Sequence, residues 1–281
     1  MLVISLSTIP PRFNHLEATL HSLLEQTTDV EEIRLNIPNS YRRFPDYDGS
    51  LPAVPKGVRI VRPEEDWGPA TKVLAATNDL KGVDCNIAFC DDDRIMPPHW
   101  AQSLIEGKQQ RPNDVISFIG EDLSTITGEP VAPSRMPRAK PAGKDFAYRW
   151  ARLKQQIKAR QLRSVRGKPL RPWYKKPGYV DTLYGTYGAL VRPEYFDDQV
   201  YDIPPVLWSV DDFWLSGSLE RKGIGIWTLA GPCTPDYTPA HEMDALEKEA
   251  FDGAGRHDAN RACVKYMQET YGIWPASKKA A

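Results

Sequence analysis

The stretch Asn86-Ile87-Ala88-Phe89-Cys90-Asp91-Asp92-Asp93 decides how this chain is read. Its first part is apolar, centred on Ile87 and Phe89, and polar residues stop it, which is the pattern of a short buried strand. Three adjacent carboxylates then stand at the strand end, where they repel one another unless a cation or donor groups neutralise them. Hard divalent ions take oxygen ligands, and Mg or Mn commonly links one or two carboxylates to substrate phosphates. Open α/β sheets also bind ligands at the carboxyl ends of their strands. The triplet predicts a metal–nucleotide site, with an acidic, solvated turn as the plain alternative.

On the N-terminal side, Leu2–Ser7 reads as a first core strand, broken by Pro10-Pro11-Arg12. His15 to Glu25 then carries Leu16, Leu20, Leu23 and Leu24 at helical spacing. Ile33–Ile37 and Val58–Val61 read as strands on either side of a Pro/Tyr/Asp-rich loop, Pro38 to Pro55. Asp66-Trp67-Gly68-Pro69-Ala70-Thr71-Lys72 opens a helix, with Pro69 in the first position, where its missing N–H does no harm. Beyond the triplet come a helix near Trp100–Glu106 and a strand, Val115–Ile119. Strand alternating with helix predicts an α/β fold with a mainly parallel, helix-covered sheet. The pattern breaks between about Gly120 and Pro177. It resumes with Tyr184–Val191, a helix from Val210 to Lys222, a strand at Gly225–Leu229, and one or two C-terminal helices. The tail Ser277–Ala281 is expected to be mobile.

With 281 residues the chain can bury a core as one large domain or two intimate halves. It holds no run of about 18 apolar residues, so no membrane span is expected. Met1–Ser7 has no basic region and is too short for a signal sequence, which points to a cytoplasmic protein. Cys85, Cys90, Cys233 and Cys263 sit at no metal-ligand spacing and are expected to be free thiols. The formal net charge of −1 hides an asymmetry: Ser134 to Gly178 carries fifteen Lys or Arg against one acid, Asp145. Within that segment, Lys144 to Arg163 can form a helix with Phe146, Trp150, Leu153 and Ile157 on one face. Nucleic acid would call for a more generally basic domain. The interleaved aromatics instead suit an interfacial helix on a membrane or anionic glycolipid, or a lid over an anionic acceptor.

Four further groups could do chemistry. Gly68-Pro69-Ala70-Thr71-Lys72 gathers free backbone N–H groups, a hydroxyl and a lysine at a helix start, suited to an anion or to an ordinary helix start. Tyr184-Gly185-Thr186-Tyr187-Gly188 combines glycines that admit a ligand with tyrosines that could stack on a sugar; a bulged core strand would look the same. In Val210-Asp211-Asp212-Phe213-Trp214, two carboxylates open a helix. Ser209 with Asp212 resembles a capping box, and the second acid remains available to take a proton from a hydroxyl. His241, in a loop, could reach a metal or simply be solvated, and His257 offers less.

Taken in order, these residues resemble the GT-A glycosyltransferases, bacterial and family-2-like. The resemblance rests on Ser5–Arg12, the Trp67–Lys72 turn, Asp91-Asp92-Asp93 as a DxD motif, Tyr184–Gly188, and Val210-Asp211-Asp212 as an xED motif with Asp for the usual Glu. His241 stands where many members carry a C-terminal metal-binding His. It covers roughly residues 1–125 and 180–245. The resemblance implies a donor-binding half over 1–125, a basic helical insertion over 126–180, an acceptor-side half over 181–240, and C-terminal helices over 241–281. Thr8, Pro10, Arg12, Gly68, Thr71, Lys72, Asp91 and Asp92 would bind a nucleotide-sugar donor, with UDP favoured over GDP. Asp93, with Asp91 and His241, would hold Mn or Mg. Tyr184, Gly185, Tyr187, Gly188 and Trp214 would face a glycan or glycolipid acceptor, and Asp212 or Asp211 would be the base of an inverting transfer in surface-polysaccharide synthesis. Two other classes compete. A sugar-nucleotide nucleotidyltransferase would show a Gly-rich loop where this chain has Pro10-Pro11-Arg12. A binding module would use the aspartates structurally and dock through the basic helix on membranes or acidic polymers, whereas the transferase would make peripheral membrane contact through the 144–163 helix and bind no nucleic acid.

Overall fold

The computed structural model describes residues 1–143, 146, 149–150, 153–154, 156–157, 173–231, 235–244 and 256–276. Its strands, in chain order, are β1 (Leu2–Ser7), β2 (Glu32–Asn36), β3 (Val58–Val61), β4 (Asn86–Phe89), β5 (Arg94–Ile95), β6 (Val115–Ser117) and β7 (Gly120–Glu121). They continue with β8 (Lys140–Pro141), β9 (Tyr174–Lys176), β10 (Gly178–Val180), β11 (Thr182–Leu183), β12 (Ala189–Val191), β13 (Ile226–Thr228) and β14 (Asp236–Tyr237). The helices are α1 (Glu17–Leu24), α2 (Thr71–Asp79), α3 (Trp100–Gln110), α4 (Leu123–Thr127), α5 (Asp211–Arg221) and α6 (Arg256–Tyr271).

Eight strands form the central sheet in the order β10-β13-β6-β12-β4-β1-β2-β3. The half from β4 to β3 is parallel throughout, with Ser5 level with both Phe89 and Arg34. β12 enters antiparallel between β4 and β6, and β10 closes the far edge antiparallel to β13. The mainly parallel α/β sheet expected from the sequence is present.

Side-chain alternation divides the core into two layers. Val3, Ile87, Phe89 and Val191 face one cluster with Val73 and Leu74 of α2, Phe213 and Leu219 of α5, and Val264 of α6. Their neighbours Ile4, Leu6, Ala88 and Leu190 face the other, with Leu20 of α1 and Trp100 and Leu104 of α3. A period of two along strands between helices on both faces yields this partition. The strand ends that carry Ser7 and the Asp triplet therefore emerge side by side.

The differences from expectation lie in short elements. The helix anticipated over His15–Glu25 forms as α1, Glu17–Leu24, and a separate 3-10 turn, Pro10–His15, precedes it. β12 fills three residues after a 3-10 turn at Gly185–Tyr187. The segment 126–180 is more than a helical insertion: β8 and β9 pair, and β10 joins the main sheet. Strands of two or three residues are too brief for alternation to show. Of the expected 144–163 helix, Phe146, Arg149, Trp150, Leu153, Lys154, Gln156 and Ile157 are helical. Its other positions, like Cys233 and the tail from Ser277, lie outside the described residues. Cys85, Cys90 and Cys263 are free and buried. Among the described residues, no helix is long and apolar enough to cross a membrane.

Candidate active site

A cleft of about 400 Å³ opens over the carboxyl ends of β1 and β4. Its walls include Thr8, Arg12, Tyr41, Arg43, Asp66, Lys72, Asp91, Asp92, Asp93, Arg94, Tyr184, Tyr187, Trp208, Asp211, Asp212, Tyr237 and His241. Four cationic side chains in this lining face six carboxylates, a formal balance of −2 with His241 neutral.

Each aspartate of the triplet has its own cation. Asp91 Oδ1 lies 2.7 Å from Lys72 Nζ. Burial pushes the Asp91 carboxyl up, but the charge and hydrogen bond of Lys72 outweigh it and hold the pKa at about 2. Asp92 accepts from Arg12 Nη1 at 2.6 Å and from the Thr8 hydroxyl at 2.5 Å. Burial still leaves the Asp92 carboxyl above its ordinary value. Thr19 Oγ1 donates to the Asp92 carbonyl, and Tyr41 OH to that of Thr8, so the backbone here is tied down from both sides. Asp92 is thus the structural centre of the triplet, and its flanking residues face the cleft.

Asp93 differs. Its Oδ2 lies 3.0 Å from His241 Nδ1, and its Oδ1 is buried with no hydrogen-bond partner among the described residues. β14 pairs antiparallel with β5, and the Thr238 N–H donates to the Asp93 carbonyl, which brings His241 to the triplet from 148 residues away. Arg94 Nε stands 3.2 Å from this oxygen without a hydrogen bond, and a carboxylate beside an imidazole is a donor set that suits a hard or borderline divalent ion. Among the described residues no cluster of three or more His, Cys, Asp or Glu is placed to hold a metal. The fit is for two protein ligands, with the remaining positions left to water and substrate oxygens, as Mg usually binds.

Lys72 joins this wall to the opposite one. Its Nζ is 2.8 Å from Asp211 Oδ2, in a side chain only 7% exposed. Burial would lower the Lys72 pKa, but Asp211, Asp91 and Asp212 drive it well above its usual value. The expected capping box does not form: no side chain caps α5, and Asp212 Oδ1 instead accepts from the Gly185 N–H at 2.9 Å. The reason is the close approach of the Tyr184–Gly188 loop, where a Cβ on Gly185 would stand 3.0 Å from Lys72 Cε. Gly188 has φ +94, and a Cβ there would overlap the Trp100 ring at 2.4 Å.

The structure brings Thr8, Arg12, Lys72, the triplet, Tyr184, Tyr187, both acids of α5 and His241 to one cleft. Gly68 and Thr71 also line it, with the Thr71 hydroxyl accepting from the Trp67 N–H. Pro10 is not in the lining. Trp214 is buried on the far side of α5, its Nε1–H on the Val200 carbonyl, because the helix turns it into the core. Sequence reasoning missed Asp66, Arg94, Trp208 and Tyr237. Asp66 accepts from the Arg42 and Gly68 N–H groups, and its backbone carbonyl from Trp208 Nε1. Burial raises the Asp66 carboxyl. Asp66 directly before Trp67-Gly68-Pro69 was a readable turn signal; Trp208 and Tyr237 carried none.

The family model described as "Glycosyl transferase family 2" matches residues 12–163, more than half of the chain. That match takes in the triplet but ends before Tyr184, Asp211 and His241. Two solved structures are similar. S. aureus TarS 1-349 in complex with UDP has 13% identity and a TM-score of 0.42, over 84% of this chain and 59% of that one. S. aureus TarS 1-349 has 13% identity and a TM-score of 0.41, over 96% and 72%. No curated protein matches.

Proposed function

The chain belongs to glycosyl transferase family 2 and is a glycosyltransferase, and from that premise we propose that the cleft transfers a sugar from a nucleoside-diphosphate donor to a glycan or glycolipid hydroxyl with inversion. The observation that carries this reading is the arrangement around Lys72, which ties the strand-end acids to the acids of α5 across one cleft. It favours this reading over a nucleotidyltransferase or a docking module.

Asp93 and His241 would hold the divalent ion, Mn or Mg, whose charge would stabilise the departing diphosphate. A cleft with a formal balance of −2 would repel a nucleoside diphosphate without such a cation. Arg12 and Thr8 fix Asp92 beneath the donor, and Asp91, held ionised by Lys72, faces the donor side. The acceptor hydroxyl attacks the anomeric carbon as the bond to the diphosphate oxygen breaks, and its proton passes to Asp212. Asp211 is the less suited base because its Oδ2 is paired with Lys72 and it is 2% exposed. The hydrogen bond from Gly185 joins Asp212 to the loop whose Tyr184 lines the cleft and would offer its ring to a sugar.

Calorimetric titration with UDP, GDP and CMP, with and without Mn, tests the reading. One nucleotide should bind with a strong dependence on Mn, and Asp93→Ala should weaken that binding by more than about tenfold, the loss of one metal ligand. A folded protein that binds none of the three would sink the proposal.

The acceptor side carries a second expectation. Phe146, Trp150, Leu153 and Ile157 are 80%, 51%, 46% and 48% exposed. They follow one helical face inside a segment with fifteen cations and one acid. Trp173, at its end, packs 5.7 Å from the Tyr187 ring that lines the cleft. An apolar stripe edged by cations suits the surface of an anionic bilayer, at about 1 kcal/mol per surface Lys or Arg. We place the enzyme at the cytoplasmic face of such a membrane, acting on a surface-polysaccharide acceptor. It should co-sediment with vesicles containing phosphatidylglycerol and not with pure phosphatidylcholine. Serine at all four apolar positions should weaken vesicle binding on the order of tenfold or more without changing nucleotide affinity. Equal binding by this variant would refute the membrane assignment.

A further inference from the structure

Arg94 directly follows the acidic triplet, lines the cleft and is 5% exposed. Its guanidinium carbon lies 3.8 Å from the Tyr237 ring centroid and 5.2 Å from that of Tyr187. Nη2 and Nε donate to Thr186 Oγ1 at 2.8 and 3.2 Å. Nε also stands 3.2 Å from Asp93 Oδ1, an ion pair without hydrogen-bond geometry. Both rings are tied at their backbones, Tyr237 as the direct partner of Arg94 in the β14–β5 pairing. The Tyr187 carbonyl accepts from Trp100 Nε1. The guanidinium is therefore held in one orientation before anything binds.

One of its nitrogens is left over. Nη1 is buried and has no hydrogen-bond partner among the described residues. An unpaired donor on a buried cation costs free energy that an incoming acceptor would recover. The acceptor that best matches a planar guanidinium is a phosphate or carboxylate oxygen. On the transferase reading, phosphate is the anion that the substrate brings to this cleft, and Arg94 is one of its four cationic side chains.

We infer that Arg94 Nη1 holds a phosphate oxygen of the substrate, beside the metal pair Asp93 and His241. This rests on the transferase reading for the identity of the ligand. The oxygen belongs either to the donor diphosphate or to a phosphate on the acceptor.

Arg94→Met keeps the space between the two rings filled and removes the N–H groups. Wild type and variant would be titrated with UDP and with uridine in Mn, and with inorganic phosphate before and after loading with UDP. If the oxygen is the donor's, UDP affinity falls about tenfold, the size of one charge-assisted hydrogen bond, while uridine affinity stays the same. If it is the acceptor's, UDP affinity holds and phosphate binding to the UDP-loaded protein falls by a similar factor. Arg94→Lys, which keeps the charge and loses the fork, should fall between the two, and matching thermal midpoints would exclude misfolding. Unchanged affinity for both UDP and phosphate in Arg94→Met overturns the inference. A wild type that binds no nucleotide would instead remove the transferase reading, and phosphate titration of the unloaded protein would still decide Arg94.

Discussion

Asp212→Asn should lower kcat by about 10²–10⁴-fold, the range measured for loss of a general base, and leave nucleotide affinity unchanged. Asparagine keeps an oxygen for the Gly185 N–H, so the loop and the start of α5 should stay in place. What is removed is the capacity to take a proton. Donor hydrolysis, followed as release of nucleoside diphosphate, supplies a readout that does not depend on knowing the acceptor. Asp211→Asn should behave differently, because Asp211 pairs with a buried lysine and is itself 2% exposed. Its loss should appear mainly as lower stability and a displaced Lys72. Retained turnover in Asp212→Asn, with turnover abolished in Asp211→Asn, would reverse the assignment of the base.

The parts of this protein legible in its sequence are those whose signal is local. β4 and the triplet could be read together, because an apolar run ending in like charges needs both a sheet to bury it and cations to neutralise it. The helix at Thr71 announced itself through Gly68 and Pro69. β10 and β12 could not be read in the same way: each has three residues and depends on pairing with strands distant in the chain. The pairing of Ser209 with Asp212 had the right spacing for a cap, yet Asp212 turned to the Gly185 backbone, a partner 27 residues away. Trp214 looked like an acceptor contact beside two acids, but the helical turn points it into the core. Arg94 stood in plain view after the triplet. Its orientation between Tyr187 and Tyr237 needed β14 to fold back onto β5, which no local pattern encodes.

Lys72→Met should be the most destabilising single change in the cleft, at about 3–5 kcal/mol, the typical result of removing one partner from a buried ion pair. Lys72 is 6% exposed and contacts Asp91 and Asp211 at 2.7 and 2.8 Å. Methionine fills much the same volume, so lost packing contributes little; the effect comes from two carboxylates left without their cation. The double variant Lys72→Met/Asp211→Asn should therefore recover a large part of the loss, and denaturant unfolding of the four proteins of the cycle would measure it. The dependence on acid pH should weaken. In wild type the lowered Asp91 pKa contributes stability that is full above 3.8 and is lost as pH falls towards about 2. The raised Lys72 pKa contributes stability that is full below 10.5 and is lost only as pH rises through its higher folded value. The pair's contribution is thus level across neutral pH. Without Lys72, burial of Asp91 is opposed only by the charges of Arg94 and Arg12, so the variant should lose less stability than wild type as pH falls from 3.8 towards about 2. A variant that instead loses stability on acidification in parallel with wild type would show that Lys72 does not hold Asp91 ionised.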